Sequence, residues 1–220
     1  MTRARHSWWA ELVFRPYLER LAKKHFHALK LIGDPPQIPS ELPLLIIANH
    51  GTWWDGFFVY LLNLRVLHRT LYVMMLEEQL ERYSFFSRVG AFGIRQGMPR
   101  SVIESLGYSA GVLHAPGTAL CLFPQGEMRS PRVRPLGFQR GVEKILAMHG
   151  GDVCILPVAM RCEHLGNRRP EAFFLADRTW RGSRASFPGM PWLERMQESQ
   201  MDRLEEAIEK REPGHVILGG

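Results

Sequence analysis

The chain has 220 residues, 45% of them hydrophobic and 23% charged. That composition suits one globular domain with a real core and excludes a disordered chain. Lysine and arginine number 28 against 22 acidic residues, a net charge of +6, which favours anionic lipid, nucleic acid or an acidic protein as partner. Cys121, Cys154 and Cys162 form neither a disulfide framework nor a zinc pattern, so nothing implies an oxidising compartment.

Residues 7–31 read as one amphipathic helix, or as two joined near Pro16. Trp8, Trp9, Leu12, Val13, Phe14, Tyr17 and Leu18 begin a wide apolar face, and Arg15, Arg20, Lys23, Lys24 and Lys30 load the other side. Such a segment either packs on the domain or lies in a membrane interface. There tryptophan sits at headgroup depth and cations meet anionic lipid. Glu11 interrupts the first apolar run, which is too short for a secretory core. The most apolar region, residues 42–64, carries Asn49, His50 and Asp55 in its middle, so no transmembrane helix is expected.

A proline-rich connector covers 33–43. Beyond it short apolar runs alternate with longer helical patterns. Strands are expected at 44–48, 70–75, 91–94, 119–123, 153–160 and 171–176. Helices are expected at 56–64, 77–88, 100–115 and 138–149, with a closing amphipathic helix at 191–211. This is an α/β pattern: one domain with a central mixed sheet flanked by helices, residues 33–220, preceded by an N-terminal amphipathic segment, residues 1–32.

In such folds chemistry gathers where strand ends meet helix starts. Two loops qualify, 49–55 and 124–135. In the first, His50 follows a buried strand and Asp55 opens a helix. Across a strand-to-helix turn the two can fold back to hydrogen-bond distance. A carboxylate on one ring nitrogen fixes the tautomer and frees the other to take a proton. The plainer alternative is that Asp55 caps its helix and His50 is a loop residue. No serine or cysteine stands beside the pair, so the nucleophile would be a substrate hydroxyl. The second loop, Phe123-Pro124-Gln125-Gly126-Glu127-Met128-Arg129-Ser130, is a compact polar turn suited to binding, or else a solvated surface turn.

Taken together, these residues resemble the PlsC-type glycerolipid and lysophospholipid acyltransferase family. Its Asn-His-x4-Asp block stands as Asn49 through Asp55, and a weaker second block as Gly90 through Arg95. Its Phe-Pro-Glu-Gly-Thr-Arg-Ser block corresponds to Phe123 through Arg129 with Ser130. A Phe-x-x-Gly helix start follows at Phe138, and the fourth block, a Val-Pro-Val-like strand, stands as Ile155 through Ala159 with Pro157 inside it. The order matches across residues 44–160.

The resemblance implies acyl transfer from acyl-CoA or acyl carrier protein to a hydroxyl on a lysophospholipid or related lipid alcohol, with no cofactor and no metal. It implies His50 as general base and Asp55 as its orienting partner. Substrate contacts would come from Arg95, Gln125, Gly126, Glu127, Arg129 and Pro157. Backbone amides near Gly51 or Gly126 are candidates for stabilising the oxyanion. The N-terminal segment would dock on anionic lipid, placing the protein in the cytoplasm, peripheral on the inner face of the membrane. The third block departs from the family: Gln125 replaces the usual glutamate, Glu127 the threonine, and Met128 the arginine, with Arg129 one step later. Glu127 can pair with an arginine there and blunt its field, which suits a hydroxylated acceptor better than a phosphate dianion.

Two other classes compete. Gly107-Tyr108-Ser109-Ala110-Gly111 is a literal Gly-x-Ser-x-Gly, which would make a serine hydrolase with Asp152 or Asp177 and His164 as partners. That motif needs a leading strand, and residues 100–106 read as helix. A basic lipid-binding protein without catalysis is the other. No nucleic-acid motif appears, and the histidines show no metal spacing. Met74, Met75 and Met160 belong to the core or to an acyl pocket.

Overall fold

The structure is a computed structural model that describes residues 1–219. Its helices are α1 (Trp8–His25), α2 (Asp55–Leu62), α3 (Glu77–Arg82), α4 (Pro99–Val112), α5 (Gly141–His149) and α6 (Met190–Glu209). Its strands are β1 (Ala28–Ile32), β2 (Leu44–Ala48), β3 (Thr70–Leu76), β4 (Ala91–Ile94) and β5 (Thr118–Leu122). They continue with β6 (Val153–Glu163), β7 (Glu171–Leu175), β8 (Trp180–Gly182) and β9 (Gly214–Gly219).

The strands form one mixed sheet in the order β4-β3-β5-β2-β6-β7-β1-β9, with β8 also on β6. From β4 to β6 every neighbour is parallel. Helical crossovers cover both faces of such a sheet, so its strands read as continuous apolar runs. In β2, all of whose residues are buried, Leu44, Ile46 and Ala48 join the core under α1 and α2. Leu45 and Ile47 join the opposite core, under α4 and α5. A third cluster seats α6 on β6, β7 and β1.

Of the two forms expected for the N-terminal segment the structure shows the first, and only its end departs from expectation. It is a single helix through Pro16, which is exposed and so gives up one hydrogen bond only on the solvent side. It ends at His25, and residues 28–32 form β1, parallel to β7 and antiparallel to β9. The expected helix at 77–88 is likewise broken: α3 stops at Arg82, and a 3-10 turn spans Ser84–Val89.

Pro157 lies where β6 changes neighbours: Cys154 to Val158 pair with β2, and Ala159 to Glu163 pair with β7. Its carbonyl accepts a hydrogen bond from Gln200 Nε2 at 2.8 Å, and the Val158 carbonyl accepts one from Gln197 Nε2 at 2.9 Å. Two fully buried α6 glutamines thus fill the gap in the ladder, as buried carbonyls require. Pro157 is buried in the sheet.

Candidate active site

β2, β3, β4 and β5 point their carboxyl ends to one edge, as their parallel register requires. β2 and β5 are direct neighbours, with Ile47 opposite Leu122. The loops after them, carrying His50 and Phe123, therefore meet. The Phe123 ring stacks on the His50 ring with centroids 4.5 Å apart.

Asp55 is the first residue of α2 and only 2% exposed. Its Oδ2 lies 2.9 Å from His50 Nδ1 and accepts the Gly51 and Thr52 N–H groups at 2.7 and 2.8 Å. Its Oδ1 accepts the Thr52 hydroxyl at 2.7 Å. A buried carboxylate held by this many donors is fixed in place, and it sits at the positive end of a helix. It in turn fixes the imidazole with a proton on Nδ1. No described residue hydrogen-bonds Nε2, and His50 lines an apolar cavity. An imidazole held this way can accept a proton at Nε2.

Two further braces hold His50. Asn49 exchanges two hydrogen bonds with the Met160 backbone, its Oδ1 accepting at 2.8 Å and its Nδ2 donating at 3.0 Å. Gln125, 3% exposed, accepts the His50 N–H on Oε1 at 2.6 Å. The His50 carbonyl then accepts the Arg129 N–H at 2.8 Å. The two motif loops are one hydrogen-bonded unit. Sequence reasoning placed Gln125 toward substrate; its side-chain oxygen is committed to the backbone of His50.

The other expected site residues divide. Gly126 has φ +75°, which favours glycine, and an added Cβ would run into Gln139 Nε2. Its carbonyl accepts from Gln96 Nε2 at 2.8 Å. Glu127 pairs with Arg129, Oε1 to Nε at 2.9 Å and to the guanidinium NH2 at 2.7 Å, the pairing expected from the sequence. Arg95 pairs with Glu81 at 2.6 Å. Pro157 is away from the cavity lining. Of the backbone amides near Gly51 and Gly126, those of the two glycines are taken: Gly51 N–H goes to Asp55 and Gly126 N–H to the Phe123 carbonyl.

The cavity holds about 390 Å³ and runs from His50 between α2, the β3–β4 surface and the 3-10 turn. Met74, Met75, Val89 and Phe86 are among its walls. Two of the three methionines thus line the pocket, and Met160 is core. Sequence reading missed Phe57, Tyr60 and Phe123 as lining residues; Phe57 and Tyr60 follow Gly56 at the spacing that puts them on one helix face.

α1 buries Ala10, Phe14, Leu18 and Ala22, one residue per turn. The rest of its apolar face is open: Trp8 is 80% and Leu12 69% exposed, with Val13 and Tyr17 beside them. This surface continues through Trp53, 59% exposed, to Tyr83 at the cavity mouth. Among the described residues no helix is long and apolar enough to cross a membrane. No group of three or more histidine, cysteine or acidic side chains that could hold a metal occurs among them.

Ser109 does not form a nucleophile elbow. It is fully buried inside α4, and its hydroxyl donates to the Ser105 carbonyl at 2.8 Å. Asp177, a suggested triad partner, pairs with Arg203 at 3.0 Å.

The chain was also compared with known proteins. A family profile described as Acyltransferase matches residues 32–161. No curated protein sequence matches the chain. Among solved structures, the crystal structure of the 1-acyl-sn-glycerophosphate (LPA) acyltransferase PlsC from Thermotoga maritima shares the fold. The TM-score is 0.60 at 16% identity, covering 90% of this chain and 81% of that one.

Proposed function

The chain belongs to the Acyltransferase family, and we propose that it transfers a fatty acyl group from a thioester to a lipid hydroxyl at a membrane surface. The donor is acyl-CoA or acyl carrier protein. The acceptor is a lysophospholipid or related lipid alcohol. The observation that carries this reading is the His50–Asp55 pair, 2.9 Å apart, at the mouth of an apolar cavity.

In this scheme the acyl chain lies in the cavity with its thioester beside His50. Nε2 takes the acceptor's hydroxyl proton as the oxygen attacks the thioester carbonyl. Asp55 stabilises the imidazolium that forms. The tetrahedral intermediate collapses, the C–S bond breaks, and the thiolate leaves with the proton from Nε2. The His50 dyad needs no metal or cofactor for these steps. The exposed α1 face and its lysines and arginines support peripheral contact with anionic lipid on the inner, cytoplasmic face of the membrane. They bring the cavity mouth to where lipid substrates lie.

The test is thiol release from acyl-CoA and from acyl carrier protein against lysophospholipids, glycerol 3-phosphate and neutral alcohols. Acceptor-dependent release that disappears in His50→Ala supports the reading. Release that proceeds equally with water alone, and survives His50→Ala, overturns it.

A further inference from the structure

We infer that Glu194 and Glu198 on α6 are positioning residues for the acceptor, holding the Glu127–Arg129 pair in place through Leu136 and Gly137. This role rests on the acyl-transfer reading above, with the acceptor meeting the loop after β5. One stripe of α6 packs on the sheet, and Leu193, Gln197, Met201, Leu204 and Ile208 are buried in it. Glu194, Glu198 and Asp202 recur every fourth residue on its flank, so they face one way. All three reach the same loop. The Glu194 carboxylate accepts the Gly137 N–H, and Glu198 Oε1 accepts the Leu136 N–H at 3.0 Å. Asp202 pairs with Arg134 at 2.8 Å. The Leu136 side chain is fully buried in the cluster that contains Met201 and Leu204.

Leu136 passes this hold on to Arg129. Its N–H goes to α6, and its carbonyl accepts from Arg129 Nη1 at 3.3 Å. Gly137 has φ +73°, and a Cβ there would meet Arg129 Nη1 at 2.7 Å, so the backbone approaches the guanidinium closely. The other side of the guanidinium holds Glu127 at 2.7 Å. Arg129 is thus gripped between Glu127 and a backbone segment that two carboxylates pin to α6. Bonds from amides to carboxylates are stronger than neutral ones, which suits a latch on a loop without regular structure. His50 has separate braces in Asp55, Asn49 and Gln125. Loosening the α6 contacts should therefore move the Glu127–Arg129 pair and spare His50.

The experiment measures kcat, the KM for acyl donor and the KM for the acceptor that wild type uses best. The proteins are wild type, Glu198→Ala, Glu198→Gln and the double variant Glu194→Ala with Glu198→Ala. The double variant should raise the acceptor KM by about tenfold or more, the range of one charge-assisted hydrogen bond. Its donor KM and kcat should change little. Glu198→Gln keeps an oxygen for the Leu136 N–H and should keep the wild-type acceptor KM. Should the double variant not fold, Glu198→Ala carries the same test with a smaller rise. Lower melting temperatures with all three kinetic constants unchanged would make the two residues merely structural and overturn the inference. So would an acceptor KM that rises equally in Glu198→Gln, or a loss shared by donor and acceptor. Hydrogen exchange at the Leu136 and Gly137 amides reads the latch without turnover: they should be protected in wild type and released in the double variant. That release in a protein that transfers nothing overturns the functional reading and leaves the latch standing; equal exchange in both proteins overturns the latch.

Discussion

Gln125 holds His50 by its backbone: the glutamine side-chain carbonyl accepts the histidine N–H at 2.6 Å, across 75 positions of sequence. The contact ties the strand-end that carries His50 to the loop after β5. Gln125→Ala removes the acceptor and leaves that amide unpaired. A base displaced by a fraction of an ångström loses rate, not binding. We expect kcat to fall about 10- to 100-fold with the KM for acyl donor little changed. Gln125→Glu restores the family's usual residue, keeps the acceptor, and should retain most of the activity. Steady-state kinetics on all three proteins decides it; a drop confined to KM would assign Gln125 to substrate instead.

His50→Ala should cost about two to four orders of magnitude in kcat, and Ser109→Ala should leave it nearly intact. Asp55→Asn should affect stability as well. The carboxylate accepts from His50, two backbone amides and a hydroxyl. An amide has one acceptor oxygen, so some of these buried donors lose their partner at about 1–3 kcal/mol each. Activity assays paired with thermal melts check both halves. An active, less stable Asp55→Asn protein would reduce Asp55 to a helix cap.

Local signals were readable in the sequence and long-range ones were not. β2 declares itself because every residue of Leu-Leu-Ile-Ile-Ala is apolar between a proline and a polar turn. His50 and Asp55 sit within one turn, so their pairing follows from spacing. β1 escaped because Leu29 and Leu31 extend the apolar pattern of α1, and Phe26, which ends the helix, is neither glycine nor asparagine. Its strand state comes from β7 and β9, distant partners that override local preference. β8 has three residues and β9 is a half-exposed edge strand, so neither leaves a strong periodic trace. The role of Gln125 depends on β2 and β5 being neighbours, which only the sheet order reveals.

Membrane contact should depend on the exposed turns of α1. Removing residues 1–31 is a poor test, since it deletes most of β1 from the interior of the sheet. Trp8→Glu with Leu12→Glu leaves the buried stripe Ala10, Phe14, Leu18 and Ala22 intact. Each apolar side chain withdrawn from water is worth about 1.5–3 kcal/mol. The pair should therefore weaken liposome sedimentation by more than about tenfold. Wild-type binding should favour anionic over zwitterionic vesicles and weaken as salt rises. Unchanged sedimentation of the double variant would remove α1 as the docking element.

We expect the loop after β5 to select the acceptor, and the cations there and at Arg95 are largely paired. Arg129 is bound by Glu127 at 2.7 Å and reaches the Leu136 carbonyl at 3.3 Å. Arg134 pairs with Asp202 at 2.8 Å, Arg140 with Glu143 at 2.8 Å and Arg95 with Glu81 at 2.6 Å. A phosphate monoester carries close to two negative charges and is best held by an open guanidinium fork. Here the Arg129 fork already holds a carboxylate. The Glu127 carboxylate can itself accept hydrogen bonds from acceptor hydroxyls. In competition, wild type should therefore prefer a hydroxylated lipid or lysophospholipid to glycerol 3-phosphate. Glu127→Thr frees Arg129 and should shift the preference toward the phosphate by about tenfold, the range of one charge-assisted hydrogen bond. Arg129→Ala in the Glu127→Thr background should cancel that gain. A wild-type enzyme that already prefers glycerol phosphate, and loses the preference in Arg129→Ala, would show that Arg129 binds phosphate despite its pairing with Glu127.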